Sequence, residues 1–468
     1  MPDAAKPTDG AGLTALAKFA ARTDAGTLPA AVVARAQACL LYGLAVGIAS
    51  THAKAAHIAT ATLDFEYADS AGKSTRFIDQ KRMPAGAAAF ANAVLMHARV
   101  QEDAHPAGHV GVVVVPTALA VAEQAGASGA ELLASLVAGY EVALRIGRDH
   151  AADLSNRGFR TTPCYGVFGA AAATARLLRL DERRALHALA LAANSAGGLR
   201  EFVNAGSGEY PFHAGFAARN GISAANCALH EAEAAVTTLD GSAGFYRAFG
   251  EPGKDYGARL SERLGEEFEM LSIAYKPYPT CQFHRSVIHG VLELHRHATH
   301  QPLQSMVISM HPFEADFFGV TYKGPFTTFA QTFMSAPFCA ALAWSRGDVT
   351  YQAMHDFDNP DVAAAVARIE VIADPARQRY QPLITMRMTD GTTKVWEDAS
   401  GAAGFSLTWE AATQMTTNLC REVGVTTAAT ADLIRAVERI ADAPDVASVT
   451  AAVGVAIGTL SNKLNAYQ

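Results

Sequence analysis

The sequence is most informative at first through what it lacks. Its six cysteines (39, 164, 227, 281, 339 and 420) are scattered, with no Cys-x-x-Cys pair. That argues against a zinc cluster or a disulfide framework and leads us to expect a cytoplasmic protein. Lys+Arg 38 against Asp+Glu 45 gives a net charge of −7. No basic block or basic-aromatic stripe occurs, so nucleic acid is not an expected partner. The longest apolar runs are broken by Arg, Glu or Gly before the ~18 residues of a membrane span, so no membrane association is expected. The polar start, Met1 to Gly12, lacks the basic-then-apolar plan of a secretion signal. Gly-x-Gly-x-x-Gly, the P-loop, Gly-x-Ser-x-Gly and His-Glu-x-x-His are all missing. Nucleotide, nucleophile-elbow and zincin chemistries therefore lack their basic parts.

What is present is a globular composition: 468 residues, half of them hydrophobic and 18% charged, long enough for two domains. Apolar residues fall at helical spacing over 13–22 and 28–48, with Pro29 in a first-turn position. Pro84 opens a helical run to His97, and 116–124 reads as helix. Ser128 to Glu131 looks like a cap for a helix reaching Arg148, and Asp181 caps another ending at Ala193. Alanine-rich helices follow polar loops at 170–178 and 216–230. Around Tyr275 the character changes. Lys276-Pro277-Tyr278-Pro279 cannot be helix interior. Stretches 306–311, 369–372 and 383–388 look like strands, with an Asp390-Gly391 hairpin to 393–396. The fold class expected is mainly α with an α+β part. A large all-helical domain (1–268 and 405–468) surrounds a smaller, lid-like α+β domain (269–404).

The densest polar stretch runs from His97 to His109, with three histidines, two acids, an arginine and a glutamine in thirteen residues. Such loops beside buried elements are where sites are built. His105 and His109 have a metal-binding spacing, but Pro106 and Gly108 oppose a regular helix, and no metal site is expected. Further polar loops at 157–166, 206–215 and 276–285 add cations, imidazoles and phenols without an evident cofactor. That set suits acid/base chemistry on a small anionic substrate.

The order of these segments resembles the MmgE/PrpD family, whose members include 2-methylcitrate dehydratase, cis-aconitate decarboxylase and iminodisuccinate epimerase. The resemblance rests on the opening loop and on Ser128-Gly129-Ala130-Glu131 with Gly139-Tyr140-Glu141-Val142. It extends to Arg157-Gly158-Phe159, His213-Ala214-Gly215 with Ala217-Ala218-Arg219-Asn220-Gly221, and Lys276-Pro277-Tyr278-Pro279. It implies the two-domain fold above, a homodimer, a site between the domains, and no cofactor. The family's opening loop often reads Asp-x-Asp-Asp-Thr-x-His-Pro-x-x-His-Pro. Here Arg99 stands at the first Asp, Gln101 and Glu102 at the pair, and Asp103 at the Thr, while His105, Pro106 and His109 match. Arg160 replaces a His, Tyr210 a Lys, Gln282 an Arg, Arg285 a His and Phe338 a Tyr; Lys276 is kept. These changes exchange charge rather than delete it, which points to a retained scaffold with an altered substrate or reaction.

The expected catalytic set is His109, Asp103, Tyr210 and His284. His109 or Asp103 would act as base, and Tyr210 or His284 would donate a proton. Arg99, His105, Arg160, Lys276, Gln282 and Arg285 would bind substrate. Cys164 and Cys281 read as packed side chains. The function expected is a cofactor-independent lyase, a dehydratase or decarboxylase, acting on a small di- or tricarboxylate by α-proton abstraction. An isomerase or epimerase needs the same first step, and a non-catalytic ligand-binding protein is the third reading.

Overall fold

The computed structural model describes residues 10–68, 70–297 and 302–460. It is mainly α with an α+β part. The helical part is built around five segments: Ala85–His97, Gly111–Ala125, Gly129–Gly147, Thr161–Leu177 and Tyr210–Leu229. The first four are buried almost all round, and Tyr210–Leu229 along most of its length. A helix without a polar face belongs inside a larger core. Amphipathic helices such as Ala11–Arg22 and Glu182–Ala193 cover them. The C-terminal helix Trp409–Val423 returns to pack on Ala30–Ala49.

By length and composition Ala30–Ala49 is apolar enough to cross a membrane, longer than the runs read from the sequence. Its most apolar window is 67% buried inside the protein. Arg35, the charge that interrupts it, donates to the carbonyls of Met270 and Ile273.

Glycines permit the closest helix crossing. A Cβ on Gly139 would lie 2.7 Å from Val114 Cγ1 and 2.8 Å from the Gly169 carbonyl oxygen. Gly139→Ala is therefore expected to cost about 1–3 kcal/mol by overpacking, although alanine is the better helix former. Urea unfolding measures this, and an unchanged midpoint would mean the two helices can separate freely.

A second apolar core gathers around a four-stranded sheet. Its central strand Leu303–Met310 pairs parallel with Ile369–Ala373 and antiparallel with Leu383–Met388. Leu383–Met388 in turn pairs with Thr393–Glu397 through the Asp390-Gly391 turn, where Gly391 takes φ 88°. Alternation puts Met306, Ile308, Met310, Ile384 and Met386 on the buried side. Helices Arg285–Arg296 and Ala336–Arg346 pack against the sheet. Val100, Phe202, Val203 and Tyr210 from the helical part join this core.

Three helices begin earlier than their sequence pattern suggests. Gly111–Ala125 starts before Pro116, Thr161–Leu177 takes in the Thr-Thr-Pro-Cys of the second polar loop, and Tyr210–Leu229 takes in Pro211 to Gly215. Proline in a first turn loses no helical hydrogen bond, so Pro163 and Pro211 mark starts rather than interruptions. Pro116 sits inside its helix. The final helical run to residue 464 is three helices, ending at Ala447–Gly458, and its last four residues lie outside the described ones.

Candidate active site

The loop from His97 to Val110 is pinned from both sides. Arg99 makes a two-pronged pair with Glu422, both contacts 2.8 Å, and donates to Gln101 and to the Ala49 carbonyl. Gln101 donates to the Pro277 carbonyl at 2.8 Å. Between these anchors Val100 is held at φ 55°. A β-branched residue in the left-handed region is strained and persists only where its surroundings enforce it.

Glu102 is the hub that this loop delivers. Its carboxylate is 1% exposed and accepts from Lys276 Nζ at 2.7 Å. His97 Nδ1 faces it at 3.3 Å and His109 Nδ1 at 3.5 Å. Burial opposes the negative charge, but Lys276, His97 and His109 together outweigh it and hold the carboxyl well below the usual range. Arg160 donates to His97 Nε2, which assigns the His97 proton to Nδ1, facing Glu102. Burial pulls His97 down to about 4 and His109 down to about 3, with Lys276 also lowering the latter. Both rings are therefore neutral near pH 7. His109 Nδ1 lies 2.8 Å from the Asp103 carbonyl oxygen and donates to it. That tautomer leaves Nε2 with its lone pair free, the state a general base requires.

His109 and Arg160 open onto a cavity of about 200 Å³ lying between the two apolar cores. Gly108, Thr161 and Thr162 bring the N-terminal turn of Thr161–Leu177 to its edge, an end that favours anions. Among the described residues four arginines line it, at 148, 160, 200 and 379, with Gln282 beside them, and no carboxylate does. Aromatic rings complete the lining, Phe202, Phe283, Phe313, Phe317 and Phe333, with Arg160 over Phe202, Arg200 over Phe317 and Arg379 over Phe313. The arrangement is an anion site with a neutral imidazole at its edge. Among the described residues no group of three or more His, Cys, Asp or Glu is set to hold a metal ion.

The profile of the MmgE/PrpD N-terminal domain matches residues 14–256, and that of the C-terminal domain matches 278–439. The chain belongs to the MmgE/PrpD family. Its relatives include a cis-aconitate decarboxylase-like protein, oryM, of Aspergillus oryzae (strain ATCC 42149 / RIB 40), 31% identical over 53% of this chain and 54% of the relative. The human cis-aconitate decarboxylase is 32% identical over 47% of this chain and 46% of its own length. The mouse protein of the same name is 29% identical over 46% and 44%. The alignment thus spans about half the length of these MmgE/PrpD relatives.

Of the ten site residues expected from the sequence of this MmgE/PrpD protein, His109, Arg160 and Gln282 line the cavity. Lys276 does not; it is fully buried behind the loop, its ammonium committed to Glu102. Arg99 is committed to Glu422. Asp103 accepts from the Tyr140 hydroxyl at 2.6 Å, beneath the start of Gly111–Ala125. Burial raises its carboxyl to about 6. His105 accepts from the Ala107 amide and faces Glu269 at 3.6 Å. Tyr210 spends its hydroxyl on the Ala98 carbonyl, while its own carbonyl accepts from Arg160. His284 is sealed against Thr280 and Cys339. Arg285 donates to the Tyr275 and Gln282 carbonyls and lies over Tyr380 and Phe405. These seven side chains shape the site from behind. Glu102 and His97 lie in the same polar loop, but nothing in their local sequence marks them as functional groups. The same holds for Arg148, Arg200 and Arg379, isolated arginines with no local pattern.

Proposed function

We propose that the protein is a lyase acting on a small di- or tricarboxylate by α-proton abstraction. The observation that carries this reading is His109, neutral with Nε2 free, at the edge of an arginine-lined cavity that no acid among the described residues lines. His109 Nε2 takes the proton, and the imidazolium that forms is stabilised by Glu102 behind Nδ1. The C–H electron pair moves toward the neighbouring carboxylate, whose added charge meets Arg160, and then forms the new double bond as a β-hydroxyl departs with its own bonding pair and takes up the proton held by the His109 imidazolium, leaving as water. An anionic substrate also raises the basicity of the buried imidazole, because its charge favours the protonated ring. The names of the relatives, cis-aconitate decarboxylases, support lyase chemistry on a carboxylate of this size.

The test is incubation in deuterated buffer with a panel of hydroxy-di- and tricarboxylates and their unsaturated counterparts, followed by proton NMR. A new alkene formed with loss of water is expected; carbon dioxide released with a proton added at the same carbon would keep the lyase class but overturn α-proton abstraction as its first step. Deuterium entering the α-carbon without bond cleavage would overturn the lyase reading in favour of an isomerase. Binding without exchange or product would mark a ligand-binding protein.

A further inference from the structure

We propose that the substrate carries an apolar alkyl or aryl substituent besides its carboxylates, and that Arg200 grips a carboxylate other than the one at Arg160. The inference rests on the reading of the cavity as a carboxylate site. Arg148 and Arg379 each already have a protein counter-ion, Glu269 at 2.6 Å and Glu314 at 3.0 Å. Arg200 has none. It is 8% exposed, and Nη1 donates to the Ser155 carbonyl at 2.6 Å. Nε and Nη2 are buried without any hydrogen-bond partner. Those two nitrogens form one edge of the planar guanidinium, the fork that meets both oxygens of a carboxylate. The guanidinium carbon lies 3.9 Å from the centre of the Phe317 ring and 4.9 Å from that of Phe318, contacts that hold the group in place. Buried donors left unmade are costly, and Arg200 is part of the cavity lining, so an acceptor brought in by a ligand would satisfy donors that the protein does not.

The rest of the wall says what the acceptor is attached to. Phe202, Phe283, Phe313, Phe317 and Phe333 give the cavity far more apolar lining than a bare small polyacid uses. Phe202, Phe283 and Phe333 are already buried, but a substrate made only of carboxylates and hydroxyls would leave the partly exposed Phe313 and Phe317 facing water. A substituted diacid would cover them while both charges meet arginine.

Calorimetric titration of the full chain with three unreactive probes tests this: succinate, benzylsuccinate and 3-phenylpropionate. Burial of the phenyl group should make benzylsuccinate bind at least about tenfold tighter than succinate. Arg200→Met should weaken benzylsuccinate at least about tenfold and 3-phenylpropionate by less than about threefold, since the latter has one carboxylate for Arg160. Should Arg200→Met lose cooperative thermal unfolding, Arg200→Lys carries the comparison. It keeps the charge but not the fork, and should still weaken benzylsuccinate measurably. Equal affinity for succinate and benzylsuccinate would overturn the apolar substituent. Undiminished benzylsuccinate binding in the folded variants would overturn the role of Arg200, and failure of every probe to bind would overturn both. Turnover is not needed for any of these measurements. Probe binding as expected with no acid processed would sink the lyase reading and leave this one standing.

Discussion

Replacing His109 by glutamine is expected to lower kcat about 10²–10⁴-fold, the contribution of a positioned general base, with the protein still folded. Glutamine donates to the Asp103 carbonyl much as Nδ1 does, but it cannot take a proton. KM should move little, because Arg160 and Arg200 remain to hold carboxylates. Glu102→Gln separates the two jobs of the hub. Turnover should fall as well, since the imidazolium loses the charge behind it. Stability should fall too, because Lys276 is left as a buried cation without an anion, a loss of about 3–5 kcal/mol. Adding Lys276→Met to Glu102→Gln removes that cation and should restore much of the urea midpoint while leaving kcat low. If His109→Gln retained full kcat on an acid that the wild type processes, the base would have to be sought elsewhere on the cavity wall.

The elements with local signals were legible in the sequence. The capping box at Ser128 and Glu131, the Asp181 cap, the Asp390-Gly391 turn and the period-two pattern of 383–388 each rest on near neighbours in the chain. Helix starts were harder where polar side chains fill the first turn, as at Thr161 and Tyr210. There the loop-like composition reflects what the side chains face, not how the backbone runs. The site was legible only as a loop. Its hub joins Glu102 to Lys276 across 174 positions, and no pattern along the chain reports such a contact. The same is true of Arg99, whose partner Glu422 is 323 positions away. An arginine at a family acid position reads as a substrate ligand until its own partner comes into view. Arg200 escaped notice for the opposite reason, because what distinguishes it is the absence of a partner on two buried nitrogens.

Acidification from pH 7.5 to 5 is expected to destabilise the protein by several kcal/mol, well before ordinary carboxylates titrate. His97 and His150 are held by burial at about 4, and His109, His213 and His284 at about 3, while His52, His311 and His355 are lowered as well. In the unfolded chain each takes a proton near 6.5. Below that pH the unfolded state binds more protons, so each ring withdraws about 1.4 kcal/mol of stability per pH unit, roughly 2 kcal/mol by pH 5. Asp103 acts in the opposite sense. Burial raises its carboxyl to about 6, so the folded state takes that proton first and regains about 1.4 kcal/mol by pH 5. Buried Glu141 and Glu314 are also raised and work in the same direction as Asp103. Depressed Glu102 enters only below the ordinary carboxylate range. Five rings against one raised aspartate, supported by two smaller contributors, leaves a net loss that is large beside a typical folding stability of about 5–15 kcal/mol. Urea midpoints at pH 7.5, 6.5, 5.5 and 5.0 should fall steadily below 6.5. Calorimetry in two buffers of different ionisation enthalpy should register proton uptake on unfolding at pH 5.5. His284→Leu, at a ring that does not itself line the cavity, should make the fall shallower without changing its onset. A midpoint that held constant or rose on acidification would mean that these rings already carry their protons in the folded protein, and the neutral His109 required for proton abstraction would fall with them.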